Sequence, residues 1–245
     1  SAGLVNLSAG TADLTDASLP LNVLPLIAVA QGEVAIYTGN VGWIDPAAAA
    51  VQAQACVDAL TTAGITNTWY ALDTEVEDLA DWVRASTDNG EQDVLVLYGF
   101  FPSTIYPEGN TMPDGSVAEL FIESTDGDVI LNHADYMFFV STTNNDVAGL
   151  QNMMDNTTIT MWDDDTPVSV TEEGGIIAPT LADFASDRPF HTTELQGDWF
   201  VEAALAENAA GDRADPAIVR DGNLGRLISV YQTNAQNDPK GDVAA

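Results

Sequence analysis

The chain is poor in positive charge, in thiols and in long apolar runs. Six basic residues, with Lys240 the single lysine, stand against 38 acidic ones, for a formal charge of -32 over 245 residues. A surface so anionic repels the phosphates of nucleic acid and the headgroups of an anionic membrane, so neither is expected as a partner. The lone cysteine, Cys56, excludes an intramolecular disulfide framework. No stretch approaches the roughly 18 to 20 apolar residues of a membrane-spanning helix, which excludes membrane insertion by that route. Imidazole chemistry has only two places to occur, His133 and His191.

What is present is enough apolar material for a real core, 46% of residues, in one large α/β domain or two small ones. Self-repulsion from the net charge is tolerable where salt screens it, because the Debye length falls from about 10 Å at 0.1 M to about 3 Å at 1 M. A marine or hypersaline setting fits this surface, as does divalent-cation binding; an acidic secreted protein is the plainer reading.

Residues 1–30 are rich in Ala, Ser, Thr and Leu, with Pro20 and Pro25, and read as an extended leader or linker ahead of an α/β domain over 31–245. Its apolar part, "LPLNVLPLIAVA" (19–30), has two prolines and no basic flank, unlike a signal peptide. "EVAIYTG" (33–39) is a strand, and "NVGWIDP" leads into an Ala-rich helix with Asp45 as N-cap and Pro46 at its first position. Cys56 falls inside that helix, where a buried structural thiol is expected. The rhythm repeats with a strand over 65–72, a helix over 74–87, a strand over 93–100, a helix over 116–125 and a strand over 128–132. All-apolar strands imply a parallel sheet covered on both faces.

Beyond about residue 140 the rhythm weakens. "TTNNDVAGLQNMMDN" reads as loop and short helix, "TITMW" as a short strand, and "DDDTPVSVTEEGG" as an acidic turn with a small strand. "TLADFASDRPF" and "ELQGDWFVEAALAEN" have helical periodicity, and "AIVRDGNLGRLISVYQT" is a hairpin about Asp-Gly-Asn.

The segments "EVAIYTG", "DVLVLYGF", "AELFIESTDGDVILN" and "DGNLGRLISVYQT" resemble, in this order, the class I glutamine amidotransferase-like superfamily, especially its ThuA-like branch, over residues 33–232. The stretch 110–240 is also similar to bacterial secreted proteins of unassigned activity, through "GSVAELFIESTDGDVILNHADYMFFVS", "LQNMMD" and "RADPAIVRDGNLGRLI". The resemblance implies a flavodoxin-like three-layer α/β/α fold with a mainly parallel sheet and a C-terminal hairpin. It also implies a nucleophilic cysteine in a strand-to-helix turn, which this chain lacks there, so the amidotransferase mechanism is not carried over.

Several constellations remain. His133 and Asp135, two apart at the carboxyl end of the 128–132 strand, suit a general base with its orienting carboxylate, or a metal ligand pair; the capped end of a strand is the plainer alternative. His191 and Glu194 would join them if the fold brings both histidines to one cleft. Asp163, Asp164 and Asp165 offer hard oxygen ligands for Ca²⁺, without the spacing of an EF-hand loop. Asn40, Trp43, Phe101, Tyr106 and Asn132 are candidate ligand-binding residues around the strand ends, the aromatics as stacking surfaces.

Three functions follow as expectations. The first is a secreted or cell-surface, non-catalytic amidotransferase-like module that binds a ligand or protein partner without a cofactor. The second is a carbohydrate or amide hydrolase using His133 and Asp135, with Zn²⁺ or Ca²⁺ as candidate cation. The third is a subunit of an extracellular assembly, homo-oligomeric or mixed, whose leader adds a strand to a neighbour. The charge itself makes a prediction. The melting temperature should climb as NaCl rises from about 0.1 M to about 1 M, and a flat or falling curve in a thermal melt would show that self-repulsion does not limit stability.

Overall fold

The computed structural model describes residues 31–42, 44–109, 115–133, 139–140, 143–161, 165–233, 235 and 238–245. The expected leader, Trp43, Asp135, Asp163 and Asp164 lie outside the described residues. The first half alternates strand and helix: β1 (Gln31–Tyr37), α1 (Pro46–Ala63), β2 (Asn67–Tyr70), α2 (Val76–Ser86), β3 (Gln92–Leu97), α3 (Val117–Ile122) and β4 (Val129–His133). Short elements follow: β5 (Phe139–Val140), β6 (Thr143–Asn144), α4 (Asp146–Met153), β7 (Thr166–Val170), α5 (Glu172–Ile177), β8 (Phe184–Ser186) and β9 (Phe190–His191). The chain closes with β10 (Trp199–Ala204), β11 (Ala206–Glu207), β12 (Arg213–Ala214), β13 (Ala217–Asp221), β14 (Arg226–Val230) and α6 (Lys240–Ala244).

Local chemistry sets the helix ends. The Asp45 carboxylate accepts from the amides of Ala47 at 2.8 Å and Ala48 at 3.2 Å, so α1 starts where expected, and it stops at Gly64, whose φ of 77° is left-handed. Ser116 and Glu119 form a reciprocal capping box on α3, at 3.1 and 2.7 Å.

The main sheet has the order β10-β13-β14-β4-β3-β1-β2. The run β2-β1-β3-β4-β14 is parallel throughout, while β13 and β10 add antiparallel at the far edge. Counted along the chain, those five strands have the 2-1-3-4-5 order of flavodoxin-like folds. Alternate residues feed two cores. Ala35, Tyr37, Leu95, Leu97 and Ile130 pack under α2, α3 and α4, whereas Val34, Ile36, Val96 and Leu131 pack under α1. Ala49, Ala53, Cys56 and Leu60 form the buried stripe of α1, at the spacing of one helix face. A second, five-stranded sheet, β8-β7-β11-β12-β9, is built from the later segments.

The expected 217–233 hairpin is present as β13 and β14. Three expectations are corrected. "TLADFASDRPF" is not helical but contributes β8 and β9, and "ELQGDWFVEAALAEN" forms β10 and β11. Gly197, at a φ of 67°, breaks any helix before Trp199, and pairing of β10 with β13 then supplies the ladder. "TITMW" is irregular over its described residues, with Ile159 and Met161 buried.

At the amino edge of the sheet, Asp128 is buried and accepts from the Asp93 amide and the Ser124 hydroxyl, both at 2.8 Å. Burial pushes its carboxyl up to about 7, against those two hydrogen bonds, with Asp93 and Asp126 adding repulsion. A group whose folded pKa is raised contributes stability below its unfolded pKa and loses it as pH rises through the folded one. Asp128→Asn should therefore flatten the loss of stability between the ordinary value of 3.8 and about 7. Urea unfolding at about pH 5 and about pH 8 checks this; parallel losses in parent and variant would assign the titration elsewhere.

Candidate functional site

In an open α/β sheet, ligands bind outside the carboxyl ends of the strands where the strand order reverses, here between β1 and β3. In this chain the two loops at that point are drawn together. The Tyr98 amide donates to the Tyr37 carbonyl at 3.0 Å and the Phe100 amide to the Asn40 carbonyl at 3.1 Å. Gly99, at a φ of 134°, makes the approach possible, since a Cβ there would lie 2.5 Å from the Asn40 carbonyl oxygen and from the Val41 Cα.

From Gly99 a line of buried polar groups runs along the edge. Asn132 Nδ2 donates to the Gly99 carbonyl at 3.0 Å, and Gln232 Nε2 to the Asn132 carbonyl at 2.9 Å. The Gln232 amide donates to Asp215 Oδ2 at 2.6 Å, and so does the Ser186 hydroxyl at 2.6 Å. Asn132, Gln232, Asp215 and Ser186 are all fully buried. Among the described residues, Asn132 Oδ1, Gln232 Oε1 and Asp215 Oδ1 are acceptors that meet no hydrogen-bond donor. Burial pushes the Asp215 carboxyl up to about 7, although Ser186, Gln232 and Lys240 pull the other way. Lys240 is itself buried and donates to the Tyr231 and Thr233 carbonyls, both at 3.3 Å, and to Asp238 at 3.4 Å. Burial lowers its pKa.

The expected site residues divide. His133 is the last residue of β4, with its backbone opposite Val230, and Asn132 precedes it in the same strand. Asn40 is half-buried and holds the loop after β3 through its carbonyl. Phe101 and Tyr106, expected as exposed stacking surfaces, are core residues. Their rings pack 5.7 Å apart, and the Tyr106 hydroxyl donates to the Gly149 carbonyl at 2.8 Å. Asp165 is exposed with a φ of 45°, and among the described residues no three His, Cys, Asp or Glu side chains are grouped to hold a metal. The edge residues Asp215, Ser186, Gln232 and Lys240 had no motif to announce them, because they come from four separate segments.

His191 lies in β9, opposite Arg213 of β12, and is fully buried. Its Nδ1 is 2.9 Å from the Thr160 hydroxyl and 3.3 Å from Glu194 Oε1. The Thr160 amide and hydroxyl both donate to Glu194 Oε2, at 2.7 and 2.6 Å. Burial alone would raise the Glu194 pKa, but Thr160 and His191 together hold it below the usual range. This cluster ties the irregular 158–161 segment to the second sheet, so it can act as a structural joint.

Cys56 is fully buried in α1, and burial pushes its thiol up to about 11. No family model matches the sequence, and no curated protein matches it. Among solved structures the chain is similar to a ThuA-like protein from Bacteroides uniformis, at 12% identity and a TM-score of 0.49, with 90% of this chain and 91% of that one covered. It is also similar to the glutaminase domain of Trypanosoma brucei CTPS with bound acivicin, at 10% identity and a TM-score of 0.44, covering 87% and 91%. The fold class itself rests on the strand order: flavodoxin-like α/β with a mainly parallel seven-stranded sheet.

Thr160→Val removes the hydroxyl shared by His191 and Glu194 and should cost about 1–3 kcal/mol. Because Glu194 has a lowered folded pKa, its contribution is present above the ordinary glutamate range and lost as pH falls through the folded value. The penalty measured by urea unfolding should therefore shrink in acid. A penalty independent of pH would place the effect in packing alone.

Proposed function

We propose that the chain is a secreted or surface-exposed, non-catalytic module of amidotransferase-like fold, which binds a ligand or protein partner at the carboxyl edge of its sheet. The observation that carries this reading is the position of the one thiol. Amidotransferase chemistry needs a thiolate in a strand-to-helix turn, whereas Cys56 is mid-helix, fully buried and disfavoured as an anion. The buried acceptors Asn132, Gln232 and Asp215 at the strand ends favour recognition of a hydrogen-bond donor there. The charge of -32 favours neutral or cationic partners over anionic ones. Among the described residues no helix is long and apolar enough to cross a membrane.

The test is thermal unfolding of the full chain and of His133→Ala against Ca²⁺, Zn²⁺, chelator, and amide- and sugar-bearing small molecules, with turnover followed in parallel. Binding to the native state at a hundredfold excess over Kd stabilises by about 2.7 kcal/mol. A shift in melting temperature without turnover is the expected result. Hydrolysis of an amide or glycoside that collapses in His133→Ala would replace the binding module with a hydrolase, and Zn²⁺ stabilisation lost in the same variant would give it a metal.

A further inference from the structure

The opposite edge of the sheet carries a hollow of about 490 Å³ that the carboxyl-edge reading does not use. Its walls are largely apolar, with Val34 of β1, Val94 and Val96 of β3, Cys56 and Leu60 of α1 and Ile65 beyond that helix, while Glu33 and Gln92 also line it. Here α1 and α6 leave part of the sheet face uncovered, and Ile65 and Val94 remain only half-buried. In a chain with this much surface charge, an apolar hollow against the main sheet calls for an apolar cover.

The sequence supplies one at the right place. Residues 19–30, "LPLNVLPLIAVA", carry no charge, and Asn22 is their one polar side chain. They run directly into Gln31, and the next residue, Gly32, lines the hollow. That junction is held close to β3, because a Cβ on Gly32 would lie 1.9 Å from the Gln92 carbonyl oxygen. A spacing of at most ~3.6 Å per residue lets Leu26 to Val29 reach the hollow without a linker, and the covalent tether gives them an effective concentration that a free ligand lacks. β1 is an interior strand, paired with β2 and β3, so the segment has no free ladder to extend at that strand. Contact through side chains is the mode that remains.

We propose that this hollow is the docking site for the chain's own apolar segment 19–30, which covers the amino edge of the sheet beside the already buried Cys56. The proposal is independent of any ligand at the carboxyl edge.

Cys56 is the only cysteine, so it serves as the reporter in the full chain. Leu26→Cys, Ile27→Cys and Val29→Cys are each oxidised with copper phenanthroline under native conditions, with Ser8→Cys as a control for tethering alone. A disulfide forms only where the two Cα atoms come within about 7 Å. At least one of the three should cross-link to Cys56 well ahead of Ser8→Cys; equal or absent cross-linking overturns the proposal. Alkylation of Cys56 by N-ethylmaleimide is the second readout. It should speed up at least about tenfold in Ile27→Asp, as expected where local opening limits access. Urea unfolding of Ile27→Asp confirms that the domain itself remains folded. A parent chain that alkylates as fast as Ile27→Asp, or binds the neutral dye N-phenyl-1-naphthylamine as well, has an open hollow suited to a small apolar molecule, and the docked segment is then ruled out.

Discussion

The parallel pairing of β14 with β4 joins residues 226–230 to 129–133, and most of the later structure depends on it. The chain reaches this register through close backbone contacts. Arg226 donates to the Asp128 carbonyl at 2.9 Å, and Gly225 to the Ile122 carbonyl at 2.7 Å, where a Cβ on Gly225 would lie 2.4 Å from both carbonyl oxygens. With β14 in place, its hairpin partner β13 and then β10 extend the sheet antiparallel, and Gln232 reaches the end of β4. Glu202 of β10 takes Arg220 and Arg226 as ion-pair partners across these strands. The carboxyl edge is therefore assembled from both ends of the chain, and its polar groups are buried because the second sheet is anchored to the same place through Ser186 and Asp215.

The scarce cations follow a pattern. Arg84, Arg213, Arg220, Arg226 and Lys240 each stand beside a carboxylate. Lys240, the one lysine, is not a surface charge at all. It holds two carbonyls at the end of β14 and lies 5.3 Å from the centroid of the Tyr231 ring. With the basic residues placed this way, much of the remaining surface is left to carboxylates, and screening by counter-ions becomes part of the stability of the fold. Two buried carboxyls, Asp128 and Asp215, work in the same direction, since each is held by hydrogen bonds yet favoured in its protonated form by burial.

Much of the candidate site was legible only as a location. The apolar strands and their order put His133 and Asn132 at a strand end, and the structure has them there. Loop aromatics could not be sorted by sequence, because Phe101 and Tyr106 sit in a Pro- and Gly-rich segment that looks exposed but folds under α3 and α4. His191 and Glu194 were legible as a local pair, whereas Thr160, which joins them, comes from another segment.

By itself the sequence determined the βα alternation of the first half, the capping of α1 by Asp45, the parallel character of the buried strands and the absence of a cysteine where amidotransferase chemistry needs one. These rest on local signals: hydrophobic period, cap residues and residue counts. Only the tertiary structure decided that 184–186, 199–204 and 206–207 are strands rather than helices, and that Asn132, Gln232, Asp215 and Ser186 form one buried line. Their partners lie 17 to 100 residues away along the chain. A periodicity compatible with either element is resolved by whichever partner offers a ladder, and a hydrogen bond across that distance leaves no mark on the residues next to it.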